Sequence, residues 1–249
     1  MKILKYKKNS NGKYTIFLDD GKSLVLYEDV ILLYNLLLKK EINSEDIEEI
    51  CNTNFEYDVY YVALKSITSR FKSVYELRAF LRKKEYPEEL IDKAILKLTS
   101  QGYLNDRLFT KSYINTQIST TSNGPYRIIG ELENKKIDSE IINDEIVVFT
   151  EDIQEEKISK IIEKLLKTNH TRGGLVLKQK IVDDLKNKGY LYEVISRVVD
   201  NYDFSCDKKI AKKEYDKLYK KYSTKYEGYQ LDKIIKEKLY SKGLVYEEE

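Results

Sequence analysis

Apolar residues recur along this chain with two different periods, and the change of period divides it. Near the start, Tyr14-Thr-Ile-Phe-Leu18 and Ser23-Leu-Val-Leu-Tyr27 are β-prone runs, and Asp19-Asp20-Gly21 lies between them. Two such runs about a turn signal predict a tight hairpin. Ile3-Leu4-Lys5-Tyr6 is a candidate third strand. Residues 29–40 then read as a helix, and 44–51 as a short second one with Ser44 as its N-cap. This opening segment, 1–57, carries eight basic and ten acidic side chains.

From residue 58 the period is helical and the pattern repeats, the signature of a repeat architecture. One string recurs four times, as Leu77-Arg-Ala-Phe-Leu81 through Tyr86, Ile128-Ile-Gly-Glu-Leu132 through Ile137, Ile181-Val-Asp-Asp-Leu185 through Tyr190, and Ile235-Lys-Glu-Lys-Leu239 through Leu244. The anchor leucines stand 51, 53 and 54 residues apart. A second face follows in register. Leu90, Ile91, Ile95 and Leu98 correspond to Ile141, Ile142, Ile146 and Phe149, and then to Val194, Ile195, Val199 and Tyr202. Spacings of three and four place each set on one side of a helix.

The helix boundaries are signalled too. Ser73-Val-Tyr-Glu76 fits a capping box. Pro87 suits the first turn of a helix. Asn123-Gly124-Pro125 breaks and restarts the chain, Asp138 caps, and Gly189 and Gly243 follow helix ends. The expectation is a mainly α protein of tandem three-helix repeats, 58–104, 105–153, 154–204 and a truncated 205–249, behind a small N-terminal β-hairpin/α cap. Units of about 50 residues bury too little surface alone, so neighbours must stack into an elongated, curved body.

Composition narrows the function. In 249 residues, 44 Lys and Arg face 42 Asp and Glu, a net charge of +2, which excludes a uniformly basic nucleic-acid coat but not a local basic face. Only ten Gly and two Pro argue against a turn-rich β fold. One His and two Cys, Cys51 and Cys206, leave no ligand cluster for a metal and no disulfide framework. No run approaches about 18 apolar residues, and Met1-Lys-Ile-Leu-Lys-Tyr lacks a signal-peptide core. A soluble, cytoplasmic, monomeric protein is expected. The 22 tyrosines and the excess of lysine over arginine fit an AT-rich coding sequence, so their numbers alone carry no argument.

Gly102-Tyr-Leu-Asn-Asp106-Arg-Leu-Phe109-Thr-Lys-Ser-Tyr113 resembles a signature of the RecX regulatory family. Gly124-Pro125-Tyr-Arg-Ile128-Ile-Gly-Glu-Leu132 and Ser69-Arg-Phe-Lys-Ser73-Val-Tyr-Glu76-Leu are similar to two further family segments, and the hairpin resembles the N-terminal extension of longer Gram-positive members. The departures fall at helix ends. Lys84-Glu85-Tyr86 and Lys135-Lys136-Ile137 lack a family glycine, and residues 36–42 replace a glycine-containing turn. The resemblance implies three-helix repeats curled into a superhelix, lying in the groove of RecA filaments on single-stranded DNA and impeding filament growth, ATP hydrolysis and strand exchange. It implies no enzyme activity and no cofactor.

Candidate chemistry reads as follows. His170 has no recognisable nucleophile or orienting partner and reads as a loop residue. Arg172-Gly173-Gly174 is not a phosphate-loop motif and follows no strand. Glu48-Glu49 and Asp183-Asp184 are adjacent on helices, diverge by about 100°, and read as solvated faces. Tyr215, Tyr219, Tyr222 and Tyr226 recur at helical spacing. Base stacking is one reading, and a core stripe is the preferred one. The basic clusters are more specific. Eight lysines crowd residues 208–225, and Arg78, Arg82, Lys83 and Lys84 form a second group. Arg78, Arg82, Lys83, Lys209, Lys213, Lys217 and Lys220 are the candidate contacts to a DNA-loaded filament. A stand-alone DNA-binding protein and a generic helical scaffold are the rival readings.

Overall fold

A computed structural model describes residues 1–10, 12–205 and 208–246. Among these residues the chain forms one three-stranded sheet and twelve helices. They fall into two compact units, Met1–Phe109 and Thr110–Glu249. Cys206 and Glu249 lie outside the described residues.

In the first unit, β1 (Ile3–Lys8), β2 (Tyr14–Leu18) and β3 (Ser23–Leu26) form an antiparallel sheet in chain order. The expected turn is present: Gly21 takes a φ of 83° and Leu18 N–H donates to Lys22 O at 2.9 Å. Ile16, Leu18 and Leu26 point into a core shared with Val30 and Ile31 of α1 (Glu28–Leu33). That helix is half the expected length. Asn35 adopts a left-handed φ of 52°, and Leu36 N–H turns back to Ile31 O, a closure that Asn tolerates better than most residues. The following residues are then drawn onto the sheet, where Ile3 N–H donates to Lys40 O and Ile42 N–H to Met1 O.

The expected short helix at 44–51 is instead the start of α2 (Ser44–Ser69), which runs through the 57/58 boundary without a break. Its N-cap is Asn43, one residue before the expected Ser44, and makes no side-chain cap bond. Neither Gly nor Pro occurs in the helix, and its polar middle is used. Asn54 Oδ1 accepts Tyr27 N–H (2.9 Å), and Asn54 Nδ2 donates to Val25 O (3.2 Å). The first half of α2 gives Ile50 to the sheet's core. The second half gives Val59, Ala63 and Ile67 to a separate core with α3 (Val74–Arg82) and α4 (Glu88–Ser100). The capping box closes from both sides, Glu76 N–H to Ser73 Oγ at 3.1 Å and Ser73 N–H to Glu76 Oε2 at 3.3 Å. Pro87 is the N-cap of α4, one position before the helix rather than inside it.

Helix α5 (Asp106–Thr120) leads into the second unit, which continues with α6 (Pro125–Asn134), α7 (Ser139–Ile146), α8 (Glu151–Thr168), α9 (Gly174–Asn187), α10 (Tyr192–Val199), α11 (Lys208–Tyr222) and α12 (Gly228–Tyr240). Pro125 opens α6, and the Asp138 carboxylate caps α7 by accepting Glu140 N–H at 2.7 Å.

The recurring string has one structural meaning in all four copies. Leu81, Leu132, Leu185 and Leu239 are each buried near the end of α3, α6, α9 and α12. Four residues later the chain turns left-handed, at Glu85 (φ 62°), Lys136 (56°), Gly189 (87°) and Gly243 (69°). The next N–H, of Tyr86, Ile137, Tyr190 or Leu244, returns to the anchor leucine's carbonyl at 3.5, 3.3, 3.3 and 3.0 Å. This C-terminal closure folds the fifth residue back towards the core.

Only two of these turns hold glycine, and packing explains why. The turn at Gly189 abuts the head of α6: Gly124 N–H donates to Lys188 O (2.7 Å) and Tyr126 N–H to Gly189 O (3.0 Å). A Cβ on Gly189 would collide with the Arg127 backbone. The turn at Gly243 meets the head of α9 in the same manner, with Gly173 N–H donating to Lys242 O at 3.0 Å, and a Cβ there would strike Gly173 O. Glu85 and Lys136 are exposed. A side chain at those two turns therefore has room.

Candidate partner interface

The motif Gly102-Tyr-Leu-Asn-Asp106 is consumed by the fold. Gly102 (φ 76°) ends α4, Leu104 is buried, and Asn105 Oδ1 accepts Leu108 N–H at the head of α5 (3.0 Å). Asp106 accepts Val74 N–H at the head of α3 (2.8 Å). Burial raises its carboxyl pKa despite that bond. The motif thus joins the ends of three helices.

A second polar hub was not anticipated from sequence. Asp58 on α2 accepts from Lys13 Nζ (3.2 Å), Tyr27 OH (2.8 Å) and Tyr86 OH (2.9 Å). It ties the residue before β2, the head of α1 and the turn after α3 to one carboxylate. Partial burial pushes this carboxyl up, but the bonds from Tyr27, Tyr86 and Lys13 outweigh it and leave the pKa lowered. No spacing rule marks Asp58, because its three donors come from distant parts of the chain.

The two basic clusters differ in how far their charge is answered. Arg78 pairs with Glu88 (3.2 Å) and Asp92 (2.6 Å), and Arg82 makes a two-pronged contact with Glu88 (2.5 and 3.0 Å). These arginines fasten α3 to α4, and their charge is offset locally. Lys83 is exposed beside them. On α11 the buried positions are Ala211, Glu214 and Leu218. Lys209, Lys213, Lys217 and Lys220 lie within about 80° on the opposite side, at 3.6 residues per turn. All four are exposed. Among the described residues, Lys213, Lys217 and Lys220 form no ion pair. Asp216 is the one acidic residue in that stripe. The buried Glu214 is satisfied by Lys242 Nζ at 2.5 Å, which ties α11 to the turn after α12.

Tyr215, Tyr219 and Tyr222 of α11 and Tyr226 in the turn after it are not the core stripe that their spacing suggested. Tyr215 and Tyr222 are half-buried against Ala211 and Leu218, while Tyr219 and Tyr226 are exposed. The set divides because Tyr222, Tyr215 and Tyr219 lie successively farther round the helix from its buried face, and Tyr226 falls in the turn after α11.

The remaining candidates fall apart. His170 is exposed in the turn between α8 and α9. Gly173 and Gly174 have spent their N–H groups on Lys242 O and Phe204 O, so they cannot cradle an anion. Glu48 is exposed, and Glu49 accepts from Tyr34 OH. Asp183 accepts from Gln179. Among the described residues no three His, Cys, Asp or Glu side chains converge on a metal-sized site. No helix there is long and apolar enough to cross a membrane.

Comparison with known proteins agrees with the architecture. Residues 60–98 match the family description "RecX, first three-helix domain", and residues 105–145 match "RecX, second three-helix domain". The regulatory protein RecX of Listeria innocua is 32% identical over 89% of this chain and 84% of its own length. That of Streptococcus agalactiae is 31% identical over 100% of this chain and 96% of its own. A crystal structure of regulatory protein RecX superimposes with a TM-score of 0.69 at 26% identity, covering 80% of this chain and 99% of the other. RecX from Lactobacillus salivarius gives 0.55 at 28% identity, over 58% and 94%. Identity of this order across nearly the full length, on a shared three-helix framework, means that the chain belongs to the RecX family of regulatory proteins.

Proposed function

We propose that this protein lies in the groove of a RecA filament on single-stranded DNA and restrains filament extension, ATP hydrolysis and strand exchange. The family supports the partner. The lysine stripe on α11 supports the mode of contact, and it is the observation that carries the reading: Lys213, Lys217 and Lys220 are exposed and form no ion pair among the described residues, in a protein of net charge only +2. Such a stripe attracts phosphate and releases counterions on binding. In the first unit Lys83 is a separate candidate contact, and Arg78 and Arg82 contribute less because Glu88 and Asp92 already face them. The division into units 58–104, 105–153, 154–204 and 205–249 belongs to the same reading, each unit offering one surface along the filament. The protein acts as a monomer without a cofactor.

The test is RecA ATPase on single-stranded DNA with substoichiometric protein. Slowing at low ratios is expected, and unchanged turnover would overturn the proposal. Reversing Lys209, Lys213, Lys217 and Lys220 to Glu should weaken filament binding and flatten its salt dependence, with the helical circular-dichroism signal retained. Overlaid salt curves for the two proteins would move the contact away from α11.

A further inference from the structure

The tyrosines of α11 and of the turn after it form two pairs, each with one sheltered and one exposed ring. Tyr215 and Tyr219 stack with centroids 6.1 Å apart and planes 25° from parallel. Tyr222 and Tyr226 lie 6.4 Å apart at 47°. The sheltered members rest on the α11–α12 core, and Tyr215 is wedged further by Tyr246 at 4.8 Å. Tyr219 is 49% exposed and Tyr226 38% exposed. On the helical wheel Tyr219 adjoins Lys212, an exposed lysine between the tyrosines and the lysine stripe. Tyr219 is thus set beside exposed cations of α11 with Asp216 the only exposed acid on that helix, and Tyr226 lies between Lys225 and Glu227 in the turn that follows.

We propose that Tyr219 and Tyr226 form a stacking platform for the bases of a single-stranded nucleic acid whose phosphates lie along Lys212, Lys213, Lys217 and Lys220. This deepens the functional reading above and rests on its placing α11 against the DNA. A ring already held by a second ring gives up little side-chain freedom when a base covers it. Every base has a π-face, so the platform is tolerant of sequence. A duplex keeps its bases stacked on one another and offers the rings nothing but its ends. The lysines would hold both forms, and the tyrosines only the open strand.

The experiment uses the full chain and no recombinase, so its failure says nothing about RecA regulation, which the ATPase assay decides separately. The probe is a fluorescently labelled thymidine oligonucleotide of about 20 nucleotides, with the matching duplex as comparison. The wild type should bind the single strand more tightly than the duplex by fluorescence anisotropy. The pair Tyr219→Ala and Tyr226→Ala should lose about tenfold or more. Tyr219→Phe and Tyr226→Phe should bind like wild type, because stacking does not need the hydroxyl. A readout without substitution covers the case in which the alanine pair misfolds. Photocrosslinking of an oligonucleotide carrying 5-iodouracil should label the α11 peptide at Tyr219 or Tyr226. The proposal is overturned by absence of single-strand binding at low salt, by wild-type affinity in a folded alanine pair, by equal loss in the phenylalanine pair, or by crosslinks found only elsewhere.

Discussion

Replacing Gly189 by Ala tests whether the left-handed turns serve as joints between successive three-helix groups. The φ of 87° alone costs a residue with a Cβ about 1–2 kcal/mol. The new methyl would also lie 2.9 Å from Arg127 Cβ and closer still to the Arg127 backbone. Relief requires the head of α6 to move away, which breaks Gly124 N–H to Lys188 O and Tyr126 N–H to Gly189 O. Each bond contributes about 1 kcal/mol net. The expected loss is therefore about 3–4 kcal/mol, a large share of an ordinary domain's stability. Gly228→Ala is the control within the same compact unit. Its φ of 52° is also left-handed, but nothing lies within 4 Å of the added Cβ, so only the conformational cost of about 1–2 kcal/mol should appear. Urea titration followed by circular dichroism measures both, and hydrogen exchange at the Gly124 and Tyr126 amides reports the joint directly. Equal losses for the two variants, with those amides still protected in Gly189→Ala, would refute the reasoning.

The two turns without glycine give the opposite sign. Lys136→Gly should stabilise the protein by about 1 kcal/mol, since Lys136 holds φ 56° on an exposed turn, and a rise in the thermal midpoint checks it. Asp58 gives a pH dependence. Its carboxyl is held below the unfolded value, so its contribution is complete above the unfolded range near about 3.9 and is lost as pH falls through the folded value. Protection of the β2 and β3 amides, relative to their intrinsic exchange at the same pH, should therefore fall in acid, and in Asp58→Ala it should already be low at neutral pH.

How much of this was readable from sequence depended on the range of the interactions involved. The hairpin, the capping box at Ser73, the cap at Asp138 and the four buried anchor leucines rest on contacts within a few residues or on a repeated period, and both leave a mark in one dimension. The lysine stripe on α11 was visible for the same reason. The resemblance of Gly102 to Tyr113 to a family signature pointed to the right family, but not to what the motif does. That became clear only when Asp106 was found at the head of α3, 32 residues away. Three things were decided by tertiary structure alone. Helix α1 ends early and the chain after it turns so that Lys40 and Ile42 bond to Ile3 and Met1 at the start of the sheet. Helix α2 passes through residue 57 because its two halves serve two cores. Arg78 and Arg82, alike in sequence to the α11 lysines, are occupied by Glu88 and Asp92, whereas Lys213, Lys217 and Lys220 face water. A sequence records which charges exist. Whether a charge is already answered depends on which distant helix packs beside it, and so does whether a left-handed turn needs glycine: backbone touches Gly189 and Gly243, while Glu85 and Lys136 lie open to solvent.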